Sequence, residues 1–169
     1  MKYLKSYQIF EYAEDPILII SKLNKNKDAR YSLNDKGLID VEGNVRISSL
    51  NLTTLPVKFG KVNGYFKCDH NQLTSLEGCP TRVSESFSCN FNKITSLKGS
   101  PKLIGSYFNV GNNELTTLKG GPTEVGGFYD VSNNNLIELD GLPKRYVNFL
   151  NIDRNVNLPK SLINAVKIY

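Results

Sequence analysis

The chain has 169 residues, a formal net charge of +5, 40% hydrophobic and 22% charged residues, and three cysteines. That length suits one domain, and no run of five like charges marks a tail or a dense nucleic-acid stripe. No stretch of 18 apolar residues is present, which excludes a hydrophobic membrane-spanning helix, and Met1-Lys2-Tyr3-Leu4 leads into polar sequence without a signal-peptide core. Action in a cytoplasm, that of the host if the chain is phage-encoded, is therefore expected.

Residues 1–42 lack the pattern that follows and are expected to form an N-terminal cap. Asp15 before Pro16 reads as a helix start, with Ile17, Ile20 and Leu23 on one side. Tyr3, Leu4, Tyr7, Ile9 and Phe10 add apolar mass that would pack on the first coil. Residues 31–42 predict a strand and a turn entering a sheet. Covering the open end of a stack is one role for this segment, and a second binding element is the other.

From about residue 43 to 157 a single frame repeats. Asn71, Asn92, Asn113, Asn134 and Asn155 lie 21 residues apart without slippage. Around Asn71 the unit reads Phe66-x-Cys68-x-x-Asn71-x-Leu73-x-x-Leu76-x-Gly78-x-Pro80-x-x-Val83, and three further units keep these positions. A first unit, with Val45, Ile47, Leu52, Leu55 and Val62, has Leu50 in the asparagine position and no Gly-x-Pro. A fixed period in this range marks a solenoid. The Phe66-x-Cys68 alternation is strand-like, with Tyr65, Lys67 and Asp69 pointing the other way. Stacked units would place these strands about 4.8 Å apart in one parallel sheet. Leu73, Leu76 and Val83 would return along an arc to meet them. The asparagine can bend the chain and bond backbone groups of its own and the neighbouring coil. In Gly-x-Pro, glycine supplies a positive φ and proline fixes the next corner. Residues 158–169, with Pro159 through Val166 resembling a short helix, are expected to form a C-terminal cap.

The order apolar-x-apolar-x-x-Asn-x-Leu-x-x-Leu resembles a leucine-rich repeat, with phenylalanine and cysteine in place of leucine. The lead-in Tyr31-Ser32-Leu33-Asn34, the segment Leu52-Thr53-x-Leu55-Pro56 and repeats such as Leu73 to Pro80 are similar to short repeat proteins of tailed phages and bacteria. The resemblance runs from about Tyr31 to Pro159. It implies an α/β solenoid, mostly β: a leucine-rich-repeat coil with one parallel sheet of about six or more strands between short caps. It brings no catalytic residues with it.

The cysteines read as structure. Cys68 and Cys89 hold one strand slot that Val110 and Val131 fill in later units, so they are expected to be small core hydrophobes. Cys79 fills the variable place inside Gly-x-Pro. No Cys-x-x-Cys is present, and His70, the single histidine, should face away from Cys68. Neither a metal nor a cofactor is expected. No phosphate-binding Gly-x-x-x-x-Gly-Lys loop or nucleophile–base pair is found, and Asp69 and Asp153 lie four repeats apart, so a catalytic role is not expected.

Function is expected on the outward strand positions. One row reads Asn44, Tyr65, Ser86, Tyr107, Phe128 and Phe149; the next reads Arg46, Lys67, Ser88, Asn109, Asp130 and Asn151. Beside them lie Asp69, Asn90 and Asp153, then His70, Phe91, Asn112 and Arg154. Four of the six positions in the first row are aromatic, which suits an interface, although cross-strand packing would use aromatics too. The second row drifts from basic Arg46 and Lys67 to acidic Asp130, a gradient that would orient a partner. The expected partner-binding set is thus Arg46, Tyr65, Lys67, Asp69, His70, Asn90, Phe91, Tyr107, Asn109, Asn112, Phe128, Asp130, Phe149, Asp153 and Arg154. The expected function is a non-enzymatic module binding a host or phage protein. On the family resemblance it would be a phage-encoded inhibitor of a host defence component. The alternatives are nucleic-acid binding through Arg46, Lys58, Lys61 and Lys67, and a structural place in a virion. No membrane partner is expected.

Overall fold

The computed structural model describes residues 15–146 and 149–152. The expected helix is α1 (Pro16–Leu23). Asp15 caps it, its carboxylate accepting a 2.9 Å hydrogen bond from the Ile17 N–H, and Pro16 occupies the first turn, where a missing N–H removes no helical bond. Ile20 is fully buried, and Ile17 and Leu23 pack partly on the same core. Next come two antiparallel strands, β1 (Arg30–Leu33) and β2 (Ile39–Glu42), where the sequence predicts one strand and a turn. Asn34 makes the reversal: its Oδ1 accepts the N–H groups of Lys36 and Leu38, and Gly37 supplies φ 69°.

Each coil then contributes two short strands. In chain order they are β3 (Val45–Arg46), β4 (Phe59–Asn63), β5 (Phe66–Lys67), β6 (Arg82–Val83), β7 (Phe87–Ser88), β8 (Leu103–Ile104), β9 (Phe108–Asn109), β10 (Glu124–Val125), β11 (Phe128–Asp130), β12 (Arg145–Tyr146) and β13 (Phe149–Asn151). The odd-numbered strands from β3 to β13 stack as one parallel sheet. The even-numbered strands from β2 to β12 stack as another, with β1 as its antiparallel edge. The chain is therefore a mostly-β solenoid of 21-residue coils with two parallel sheets, not one.

The second sheet corrects the expectation of a returning arc. Val83, Ile104 and Val125 are the inward residues of two-residue strands, each preceded by an exposed residue. The physical reason lies in stacking. Proline extends the backbone after Gly-x-Pro, and identical extended segments in register place every N–H opposite a neighbour's carbonyl. A strand with one inward side chain shows no alternation in sequence, so it leaves no period-two signal.

The two sheets share one core. Phe66, Phe87, Phe108 and Tyr129 are all fully buried and stack through successive coils at centroid separations of 5.7, 5.5 and 5.0 Å. Phe59 of the even sheet meets Phe66 edge-on at 5.0 Å. Cys68 and Cys89 lie fully buried and unbridged beside the valines of the same slot, as the sequence predicts.

The asparagine ladder does more than bend the chain. Asn92 donates through Nδ2 to the carbonyls of Cys68, Cys89 and Asn90, and its Oδ1 accepts the Leu73 N–H at 2.9 Å. Asn113 and Asn134 repeat the same bonds one coil on, each reaching back into the preceding coil. The ladder thus satisfies buried backbone groups where the chain leaves the odd sheet. Gly-x-Pro also behaves as predicted: Gly99 has φ 90°, and a Cβ there would fall 2.7 Å from the Leu76 carbonyl oxygen.

The first coil has a different finish. Asn24, fully buried just past α1, accepts the Arg46 N–H at 2.7 Å and donates to the Asn44 carbonyl at 2.9 Å. Lys25 continues the edge, its backbone N–H and its Nζ donating to the Arg46 and Ser48 carbonyls. The β1–β2 hairpin covers the even sheet, so both first edges have partners. The expected C-terminal cap at 158–169 and the apolar residues from Tyr3 to Phe10 lie outside the described residues.

Candidate functional site

The outer face of the odd sheet carries the residues singled out by sequence, and their surroundings divide it into three parts. Near the first coil, Tyr65 is half-buried. Its hydroxyl accepts a 2.7 Å bond from Asn26 Nδ2, its N–H donates to Asn44 Oδ1, and Lys67 Nζ lies 4.9 Å above its ring. Tyr65 and Lys67 are thus engaged with the N-terminal segment and with each other. Arg46 beside them is exposed, its backbone tied to Asn24 and Lys25.

The middle of the face is polar and tightly bonded. Ser86 and Ser88 are buried. Asp69 accepts hydrogen bonds from the hydroxyls of Ser48 and Ser88 and from the Asn90 N–H. Serine at these positions replaces the larger side chains of the neighbouring coils, so Asp69 is held in the surface instead of projecting from it.

Farther along, the face opens. Tyr107, Phe108, Asn109, Phe128, Asp130 and Asn151 line a depression of about 330 Å³. Phe128 is 54% exposed; Tyr107, Asn109, Asp130 and Asn151 are half-buried. Register explains the convergence. Asn109, Asp130 and Asn151 are consecutive rungs of β9, β11 and β13. Two of these side chains are fixed from below: Asn109 Oδ1 accepts the Gly111 N–H at 3.0 Å, and Asp130 Oδ1 accepts both the N–H and the hydroxyl of Ser132 at 2.9 and 2.7 Å.

A ridge borders the face where the chain turns toward the ladder asparagines. Ser49, His70, Phe91, Asn112 and Asn133, one per coil, all adopt the left-handed conformation at φ 52–57°. Asparagine tolerates this region, whereas a phenylalanine there carries strain. Phe91 is 46% exposed and its ring stacks on His70 at 4.5 Å. Strained residues collect at functional positions, and this one borders the face.

Of the sequence-predicted set, the structure brings Tyr107, Asn109, Phe128 and Asp130 together. It pairs Tyr65 with Lys67, pairs His70 with Phe91 beside Asn112, and locks Asp69 with Asn90. Phe149 contributes its backbone to β13, and Asp153 and Arg154 lie outside the described residues. Asn151, and Asn26 as the partner of Tyr65, stand outside the set that the sequence predicts. The first was visible as the next rung after Asn109 and Asp130; the second belongs to no repeat. Lys58 and Lys61 fall on the even-sheet side of the coil, away from Arg46 and Lys67, and Lys58 pairs with Glu77 at 3.4 Å.

Burial pushes the Cys68 and Cys89 thiols up, so neither presents a thiolate at neutral pH. Among the described residues no three His, Cys, Asp or Glu side chains converge as metal ligands, and no helix is long and apolar enough to cross a membrane. Comparison of the chain with protein-family profiles, with curated proteins and with solved structures gives no match.

Proposed function

We propose that this chain is a non-enzymatic protein-binding module whose working surface is the outer face of the odd sheet. The observation that carries the reading is the depression between Tyr107 and Phe128, where aromatic surface and a fixed carboxylate meet on a rigid sheet. Aromatic anchors beside immobilised polar groups favour binding because little entropy is lost when the partner arrives. The 21-residue frame resembles a leucine-rich repeat of the short type found in tailed phages and bacteria. In its most concrete form the chain is a phage-encoded protein that binds a host defence component stoichiometrically and covers its working surface. That form rests on the resemblance and on small size. The separation of Lys58 and Lys61 from Arg46 and Lys67 argues against a nucleic-acid groove, since phosphate contacts need one continuous basic track.

The test is affinity capture from lysate of a bacterial host, with wild type and a Tyr107→Ser, Phe128→Ser double variant as baits. The wild type should retain a protein at fixed stoichiometry that the double variant loses. Equal retention by both baits removes this face from the account. Retention that disappears with nuclease, or between about 50 and 200 mM salt, points to nucleic acid instead.

A further inference from the structure

We infer that the depression between Tyr107 and Phe128 accepts a guanidinium group, so that the partner presents an arginine side chain to this face. The inference rests on the protein-binding reading above and names the chemistry it uses. Tyr107 and Phe128 occupy successive positions of the outer aromatic row and supply ring surface at the rim. Asp130 lies between them and Asn151, half-buried, with both Ser132 hydrogen bonds landing on Oδ1. Among the described residues no protein group bonds Oδ2, which leaves that oxygen for a ligand.

This combination selects among side chains. An apolar group placed here would desolvate the Asp130 carboxylate without compensation, and an acidic group would be repelled. A cation gains from both the carboxylate and the ring faces. Guanidinium fits better than ammonium because it is planar, stacks on aromatic rings and is more weakly hydrated. The volume, near the lower end of the roughly 300–1,000 Å³ of small-ligand sites, suits one long side chain and not a helix or strand. Asn109 adds a donor: its Oδ1 is engaged by the Gly111 N–H, so its amide NH₂ is the group left to meet a backbone carbonyl of the segment that carries the arginine.

The experiment titrates the full ¹⁵N-labelled chain with N-acetyl-arginine-methylamide and follows amide shifts. The lysine analogue tests cation type, and the citrulline analogue keeps the shape without the charge. Arginine should shift the amides of Asn109, Asp130 and Ser132 along a saturating curve, with citrulline about tenfold weaker and lysine between them. Asp130→Asn, which keeps an oxygen for Ser132, should weaken arginine about tenfold, whereas Asp69→Asn should leave it unchanged. Equal binding of citrulline and arginine overturns the inference, as do shifts centred elsewhere, indifference to Asp130→Asn, or the absence of any shift. If these tests fail while the Tyr107→Ser, Phe128→Ser bait still loses its protein, the binding face stands and only the arginine assignment falls. If the arginine titration succeeds while both baits retain the same protein, the depression binds guanidinium but the binding-face reading falls, and with it the inference that the partner supplies the arginine.

Discussion

The hydroxyl of Tyr129 sits against Gly121: a Cβ at Gly121 would lie 3.3 Å from Tyr129 Oη. Tyr129 occupies the ladder position that Phe66, Phe87 and Phe108 fill in earlier coils, and its extra oxygen extends toward the Gly-x-Pro place held by Cys79 and Ser100 in other coils and by glycine here. The hydroxyl is buried and, among the described residues, makes no hydrogen bond. An unpaired buried hydroxyl costs about 1–3 kcal/mol, so Tyr129→Phe should raise stability by about 1 kcal/mol in urea unfolding. Gly121→Ala should lower it by about 1–3 kcal/mol through crowding, since a Cβ there would also lie 3.0 Å from the Leu118 carbonyl oxygen and from Leu97 Cδ1, and by somewhat less in the Tyr129→Phe background. Strict additivity in that double-mutant cycle would show that the two positions are not coupled.

Alkaline pH probes the same core. Burial pushes the Tyr129 phenol above its ordinary 10.0, and burial together with the neighbouring thiols pushes Cys68 well above 9.0; burial raises Cys89 too. Folded, these groups hold their protons where the unfolded chain loses them. Stability should therefore be level near neutrality and fall as pH climbs past about 9, more steeply past about 10, by roughly 1.4 kcal/mol per pH unit for each group. Unfolding midpoints from pH 7 to 11 would show this, and Tyr129→Phe should flatten the part above 10. An unchanged slope in that variant would exclude Tyr129 as a source.

The asparagine ladder predicts a larger loss. Replacing Asn92 by alanine strands the Leu73 N–H and leaves three carbonyls with fewer donors in a buried setting. The expected cost is about 3–5 kcal/mol, several hydrogen bonds lost at once. Asn92→Asp should do no better at neutral pH, because a carboxylate accepts from Leu73 but cannot donate to the carbonyls of Cys68 and Cys89. Recovery to within about 1 kcal/mol by either variant, measured by denaturant unfolding, would make the ladder a turn signal only.

What the sequence makes legible follows from repetition. An asparagine, a Leu-x-x-Leu and a Gly-x-Pro recurring at 21 residues define the coil, the inward phenylalanines and the backbone-bonding ladder. Strands of two residues carry too little alternation to be read, so the even sheet hides behind Pro80-x-x-Val83. Single events escape as well. Asn24 caps the odd sheet once, and no second copy exposes its role. The left-handed ridge is suggested by Asn112 and Asn133 but masked by Phe91, whose residue type disfavours that conformation. At the candidate site the outward rows follow from arithmetic. Which rungs open into a depression depends on the serines that close the middle of the face, a packing outcome with no sequence period.

Asn24 gives a local prediction. Its amide bonds Tyr31, Asn44, Asn26 and Arg46 at once, so Asn24→Ala should expose the edge of β3. Amide exchange should quicken at Arg46 and Lys25 while the later coils keep their protection, since each coil of a solenoid depends chiefly on its neighbours. Uniform loss of protection along the chain would instead mean that Asn24 supports the fold as a whole.

The outer and inner aromatics should separate in their effect on stability. Phe108 is fully buried between Phe87 and Tyr129, so Phe108→Ala should cost about 3–5 kcal/mol. Phe128 directly precedes Tyr129, the register partner of Phe108 on the adjacent strand, but points outward and is 54% exposed. Phe128→Ser, alone or with Tyr107→Ser, should therefore change stability by no more than about 1 kcal/mol. That difference is what allows a binding defect in the double variant to be assigned to the surface and not to unfolding. Circular dichroism and urea midpoints decide it. A loss comparable to that of Phe108→Ala would mean that the outer row holds the sheet together, and the aromatic positions would then be explained by packing alone.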